Sequence, residues 1–541
     1  MQHGKSYERP KGQRATADGL PVRQGRARGQ GQGATAQSQT PVASFINNFM
    51  LMFGVLSRRP NLAITVMLVL ALGLRLFLAL STDGYLGVDG GAYRLSLLYV
   101  TTGQQIADFV RPPLAPGWLL WPTTAMFGAV TGFNLYGAIF SMTLPLAVWY
   151  AARVILSPWR VFAVVLLVAF DWLLMSMFVT GAVPLTGFAF IFLSLGAMWR
   201  ISRKPGSRHA IVLIVALPLI FYTNQTSAGL AMLIIPLQWI LLPNRRMVFI
   251  PLALGGLLAL SALPWYFDVG PGSDQLTYPG PLLIPHNIWE HQLLIGLGAL
   301  YLAFRAHSAI NTIWWGDRQW AFIDRALLAV VYTVPVLAIM QMFASFNEVI
   351  MNITFRATYL MMPFIWILAV HMFKPGVWTT AKRVFAVLAV MGLVTISVQQ
   401  FTAQRTLSAL ADGDVVATFQ AVPEDADTVL TNNYSTALFL AAETGHNVQW
   451  TNWIAPPPFY EQADAEARCA MGWVEGCEVA PHITHILVDE KWPMDAVGLA
   501  PANLLSPYGA PERKPWALLA QDDRLELIAA HGSAKLYEVR R

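Results

Sequence analysis

Apolar runs long enough to cross a lipid bilayer recur through most of this chain. They lie near 61–80, 133–155, 160–179, 181–200, 209–223, 226–242, 247–267, 288–304, 326–345, 356–373 and 384–401. A helix needs about 20 apolar residues to cross about 30 Å of hydrocarbon. In lipid, the backbone must satisfy its own hydrogen bonds, so such runs fold as helices. With 55% hydrophobic and only 12% charged residues, the 541-residue chain is excluded from the ordinary soluble classes. The reading is a polytopic α-helical membrane protein with about eleven transmembrane helices.

Charge orients those helices. Residues 1–60 carry nine Lys/Arg against two Asp/Glu, whereas 402–541 carry nine against nineteen. The net charge of +5 thus hides two opposed ends and is no signal for nucleic acid. Further basic residues fill the connections 153–160, 200–209, 243–247, 305–325 and 374–383. Lys and Arg beside a span favour the cytoplasmic side. All five connections join the N-terminus there only if 113–131 does not cross. That run begins with two prolines and carries Trp118, Trp121 and Pro122, so we lay it on the outer surface as an interfacial helix. The N-terminus is then inside and the C-terminus outside.

Three regions follow. Residues 1–41, rich in Gly, Gln and Arg, read as a disordered basic cytoplasmic tail. Residues 42–401 form the membrane domain, opened by a short interfacial helix over 42–57, with an outer loop over 81–132. Residues 402–541 read as a small extracytoplasmic α/β domain. In it 415–445 suggests helix, turn at Pro423-Glu424-Asp425, strand around 428–431 and helix; 484–490 is a buried strand, and 525–540 is two strands joined at Gly532-Ser533. The two cysteines, Cys469 and Cys477, fall on the oxidising side, where a disulfide between them can persist. The chain shows no internal repeat, Walker loop, dinucleotide fingerprint or Cys/His metal spacing.

The outer loop concentrates charge in a chain that has little. Asp83, Asp89, Arg94, Asp108 and Arg111 all lie within 83–116. Asp89, followed by Gly90-Gly91, has a local explanation as a helix N-cap or turn residue. A carboxylate at the membrane surface can equally act as a general base toward a hydroxyl; Asp83 is a rival for that role. Arg111 precedes Pro112-Pro113, which hold the backbone extended. Arg356 opens the tenth span on the outer side. Both arginines suit ordinary lipid contact, and both suit gripping a substrate phosphate through a guanidinium fork. His286, Glu290 and His291 stand at the outer mouth of the eighth span, where they read as interfacial polar residues or as ligands for a divalent metal. Arg75 and Asp171 lie at similar depth inside spans and read as a structural ion pair.

Together these residues resemble a family. Asp89 with Tyr93, then Arg111-Pro112-Pro113-Leu114 and an interfacial helix, is similar to the first loop of GT-C-fold glycosyltransferases, in the branch of protein O-mannosyltransferases and bacterial aminoarabinose transferases. Arg356-Ala357-Thr358-Tyr359 with Pro363 resembles that branch's motif at the start of a late span. The resemblance implies a GT-C-like fold and a donor sugar on polyprenyl phosphate. It implies inverting transfer to a glycan, lipid or protein acceptor of the cell envelope, with Asp89 as base. Tyr93, Arg111, Arg356 and Tyr359 would bind substrate. The sequence departs from the branch at Gly90, where a second acidic residue is usual. Two other classes stay open: a transporter or flippase for a polyprenyl-linked lipid or glycan, and a non-catalytic membrane scaffold. No nucleic-acid partner is expected.

Overall fold

The computed structural model describes residues 59–86, 90–103, 114–171, 174–175, 183–204, 207–263, 286–311, 322–343, 348–372, 411–432, 434–450, 465–467, 469–472, 474, 476–490 and 516–541. The expected tail over 1–41, interfacial helix over 42–57, most of the outer connection 268–287 and the last span at 384–401 lie outside them.

The chain enters the bilayer-length part with α1 (Pro60–Leu80), started by a proline whose missing N–H costs nothing in a first turn. One face of α1 is buried through Ile64, Leu68, Ala71 and Leu78; the other leaves Leu70 and Phe77 each 67% exposed. That exposed apolar stripe is what a lipid-facing helix requires. A short strand, β1 (Gly84–Tyr85), leads to α2 (Gly90–Thr102) and α3 (Leu114–Phe127). Gly128, at φ 82°, turns the chain into α4 (Ala129–Ser141) and α5 (Thr143–Ala152). Then come α6 (Pro158–Phe170), α7 (Val183–Arg203), α8 (Ser207–Thr223), α9 (Gln225–Leu241), α10 (Arg245–Ala259), α11 (His286–Asn311), α12 (Phe322–Phe343) and α13 (Glu348–Met372). Among the described residues four helical stretches are long and apolar enough to cross a membrane: Pro60–Leu80, Ala129–Ala152, Leu185–Arg203 and Arg245–Ala262.

The bundle packs around α7. Phe188, Phe192, Leu195, Met198 and Trp199 on it are wholly buried. Glycine lets neighbours approach: a Cβ at Gly196 would lie 2.7 Å from the Tyr150 ring of α5. One buried polar chain crosses the core. Trp199 Nε1 donates to Gln238 Oε1 at 3.2 Å, and Gln238 Nε2 donates to Thr333 Oγ1 at 2.9 Å, joining α7, α9 and α12. Each of these polar groups has a partner, as burial in an apolar medium demands.

Three expectations are corrected here. The run 160–179 is not one straight span. Its helix ends at Phe170, Asp171 takes an extended conformation, and its Oδ1 accepts from Leu174 N–H at 3.1 Å. Asp171 Oδ2 accepts from Trp366 Nε1 at 2.8 Å. Arg75 does not pair with it; the guanidinium donates to the carbonyls of Ala71 at 3.2 Å and Ala169 at 2.7 Å. The end of α6 supplies free carbonyls, and one of them, that of Ala169, has taken the arginine. Arg356 also does not open its helix. The helix begins at Glu348, which puts Arg356 about 12 Å along it at 1.5 Å per residue. Much of the connection expected over 346–355 is therefore helical.

The C-terminal residues build a mixed sheet. The elements are β2 (Ala411–Asp412), α14 (Gly413–Phe419), β3 (Thr428–Thr431), α15 (Tyr434–Thr444), β4 (Asn447–Trp450), β5 (Ile483–Asp489), β6 (Leu525–His531) and β7 (Ala534–Val539). Strand order is β4-β3-β5-β7-β6, with β3 parallel to β4 and β5, and β7 antiparallel to β5 and β6. Helix α15 is the crossover between parallel β3 and β4. The 525–540 hairpin turns at Gly532, whose φ of 54° suits glycine. Cys469 and Cys477 form a disulfide with Cα atoms 5.9 Å apart.

Candidate active site

The segment that leads into Asp89 is held from three sides. From α4, the buried Asn134 accepts from Leu86 N–H at 3.0 Å and donates to Gly84 O at 2.9 Å and, more weakly, to Ala79 O at 3.4 Å. One amide thus satisfies both directions of a turn that leaves the end of α1. From the C-terminal residues, β2 pairs antiparallel with β1, setting Gly84 opposite Asp412 and Tyr85 opposite Ala411. The Asp83 carboxylate lies against Gly413, where a Cβ would sit 2.7 Å from its Oδ2.

The third hold is electrostatic. Tyr85 donates its hydroxyl to Glu443 Oε1 at 2.5 Å. Arg94, on α2, donates to the same oxygen through Nε at 2.9 Å and Nη2 at 2.6 Å. Glu443 sits near the end of α15, so one carboxylate ties the first loop and α2 to the C-terminal sheet. Burial pushes the Tyr85 phenol well above its ordinary pKa, so it remains a donor at any physiological pH. Beneath this triad, the Tyr85 ring stacks on Phe439 at 4.1 Å and meets Phe133 edge-on at 5.6 Å. Tyr93, Leu97, Leu120 and Tyr136 complete the same apolar cluster, together with Val415, Leu487 and Leu536 of the C-terminal residues.

Helices α2 and α3 cross in close contact. Ser96 Oγ accepts from Gly117 N–H at 2.9 Å, and a Cβ at Gly117 would come within 2.5 Å of Ser96 O. Gly117 therefore has no room for a side chain. On α3, Leu120 is fully buried while Trp118 is 61% exposed, an asymmetry suited to a helix lying at a surface.

Of the residues singled out from sequence, Asp89 and Arg111 lie outside the described residues. Asp89 is three residues past Leu86 and one before the start of α2. Tyr93 is 5% exposed and belongs to the cluster beneath the loop. Arg356 and Tyr359 are one turn apart on α13; the Arg356 side chain is outside the description, and Tyr359 packs against the main bundle core, not the Tyr93 cluster. His286, Glu290 and His291 fall in the first turns of α11, with side chains likewise outside the description. Among the described residues no three His, Cys, Asp or Glu side chains come together as a metal group. Sequence reasoning missed Asn134 and Glu443. Asn134 carried a faint signal as a polar residue inside an apolar run.

No protein-family model matches this sequence, and no curated protein matches it. Solved structures do. The arabinofuranosyltransferase AftD from Mycobacteria aligns with 88% of this chain and 41% of its own, at 13% identity and a TM-score of 0.51. ArnT from Cupriavidus metallidurans, solved with undecaprenyl phosphate, aligns over 87% of this chain and 97% of its own, at 13% identity and TM-score 0.45. The oligosaccharyltransferase AglB from Archaeoglobus fulgidus, solved with an inhibitory peptide and a dolichol-phosphate, aligns over 81% and 70%, at 12% identity and TM-score 0.49. The likeness to AftD is one of fold: this chain has the GT-C fold of integral membrane glycosyltransferases.

Proposed function

We propose that this protein transfers a sugar from a polyprenyl-phosphate donor to an acceptor hydroxyl on the outer face of a membrane. Asp89 takes the proton of the acceptor hydroxyl. The acceptor oxygen forms the new bond to the anomeric carbon with inversion, and the bond from that carbon to the lipid phosphate breaks. Arg111 and Arg356 stabilise the charge that grows on the departing phosphate, while Tyr93 and Tyr359 shape the substrate site. The membrane domain over 42–401 supplies the groove for the isoprenoid tail, the basic tail over 1–41 stays in the cytoplasm, and 402–541 covers the outer loop as an extracytoplasmic domain.

The observation that carries this reading is the fixing of the segment before Asp89. Asn134, the β1–β2 pairing and the Tyr85–Glu443–Arg94 triad restrain three consecutive residues, 84–86, and the side chains of Tyr85 and Leu86 are buried as well. Rigid support next to a reacting group is what general-base catalysis needs, because a base must sit within hydrogen-bonding reach of the proton it removes.

The test is Asp89→Asn, which keeps shape and hydrogen bonding but cannot accept the proton. Transfer from a polyprenyl-phosphate sugar should fall about 10²–10⁴-fold. Donor binding should persist, since arginines hold the phosphate. Full activity in Asp89→Asn would remove it from the mechanism. Wild-type protein that transfers no lipid-linked sugar, yet moves one across a bilayer, would favour a transporter.

A further inference from the structure

A second charged site lies at the far end of the bundle. Helix α7 carries Val183 in the cluster beneath the outer loop at one end and Arg203 at the other, about 30 Å away at 1.5 Å per residue. Around that far end, the last turn of α7, the end of α5 and the first turn of α8 line an open-mouthed cavity of about 980 Å³. Five cations line it: Arg153, Arg200, Arg203, Lys204 and Arg208. No carboxylate does, and none of the five forms an ion pair among the described residues.

The floor of this cavity is built, not incidental. Arg200 donates to Gly196 O at 2.9 Å and to Tyr150 O, and its guanidinium lies 3.7 Å over the Tyr150 ring. The Tyr150 hydroxyl meets His209 Nδ1 at 3.0 Å. One arginine is thereby fixed at the base, while Arg153, Arg203, Lys204 and Arg208 ring the mouth and remain exposed. Five like charges around one cavity repel unless an anion joins them. Arginine forks suit phosphate oxygens in particular.

The walls say which source of phosphate fits. On α8, Arg208 shares a helical face with Ile211 and Val215, which are 60% and 50% exposed. A molecule whose anionic head met Arg208 would lay hydrocarbon along these two residues. We infer that this cavity binds an anionic lipid whose headgroup phosphates together carry two or more negative charges. Basic residues at a membrane face attract such lipids generally; here a fixed guanidinium at the base and four exposed cations around the mouth make the attraction local.

The test uses the full-length protein, stripped of lipid in detergent and titrated in native mass spectrometry with cardiolipin or phosphatidylcholine. Wild-type protein should prefer cardiolipin. Arg153→Gln/Arg208→Gln should lose about thirtyfold in cardiolipin affinity, taking about one decade and a half for two membrane-surface cations. Arg203→Gln/Lys204→Gln, a second exposed pair at the mouth, should behave alike, so the outcome does not hang on one variant folding. Arg245→Gln/Arg246→Gln, at a different basic connection, should bind as wild type. Inorganic pyrophosphate that raises the melting temperature of wild-type protein only, without cardiolipin preference, would keep the phosphate site and assign it a soluble ligand. Equal binding of both lipids with no pyrophosphate effect would overturn the inference. An equal loss in the Arg245/Arg246 control would also overturn it.

Discussion

Glu443 is one carboxylate with two donors on the other side of the chain. Replacing it with glutamine leaves Arg94 without a counter-charge, with the Arg94 and Glu443 side chains only 11% and 22% exposed. Partly buried pairs fall between surface pairs and fully buried ones, so Glu443→Gln should cost about 1–3 kcal/mol. A double-mutant cycle with Arg94→Gln should give a smaller loss than the sum of the two single changes; strict additivity in thermal melts would show that the pair is idle. Transfer should also weaken, because the segment before Asp89 loses a support. Sequence made one half of this pair visible. Arg94 stands out as a charge in a loop next to membrane. Glu443 lies near the end of a largely buried helix 349 residues later, and nothing local to YSTALFLAAET points back across that distance. Arg75 and Asp171 fail in the opposite way. Both were legible as buried ionisable groups, yet depth alone could not reveal that α6 ends at Phe170 and offers the Ala169 carbonyl to the arginine.

At the level of elements, the α2–α3 crossing turns on Gly117. Gly117→Ala places a methyl against the Ser96 carbonyl, so α3 has to shift against α2. Overpacking of this kind typically costs about 1–3 kcal/mol. Gly256, on α10, has nothing within 4 Å of its Cβ position, and Gly256→Ala should be neutral or stabilising by up to about 1 kcal/mol. Thermal melts of the two variants should move in opposite senses, and equal shifts would refute the close crossing. In the C-terminal sheet, Arg524 donates to both Asp522 carboxylate oxygens, at 2.9 Å and 2.7 Å, and reaches the carbonyls of Cys469 and Cys477, which links the disulfide loop to β6. The guanidinium holds the Asp522 carboxyl below its ordinary value. A depressed carboxyl stabilises the fold above its unfolded pKa and loses that contribution as pH falls through the folded one. The advantage of wild type over Asp522→Asn should thus be constant from about pH 7 to about pH 5 and shrink below about pH 4; an advantage that grew on acidification would refute it. The strands around 428–431, 484–490 and 525–540 were readable because buried apolar runs and a glycine turn mark them. Strands β1, β2 and β4 were not, since two to four residues carry no period and their partners define them.

For the whole molecule, the charge pattern predicts sidedness. Reporter fusions at residues 132 and 541 should read as external, and fusions at 204 and 374 as cytoplasmic. A cytoplasmic signal at 132 would mean that α3 crosses the bilayer and would invert every later connection. The GT-C-like architecture was legible because apolar periodicity and the order of loop residues are long-range patterns that sequence preserves. The closure of the C-terminal sheet onto the first loop was not, since it depends on contacts between the two ends of the described chain. That closure has a consequence in time. Gly84 and Tyr85 emerge from the ribosome early, but their partners Ala411, Asp412 and Glu443 emerge more than three hundred residues later. Strand β7, which ends at Val539, lies inside the sheet between β5 and β6, so the sheet cannot close before that strand is made. Residues 84 and 85 therefore wait for Ala411, Asp412 and Glu443 until most of the chain has been made. Whatever depends on those contacts can begin only once synthesis has passed Glu443.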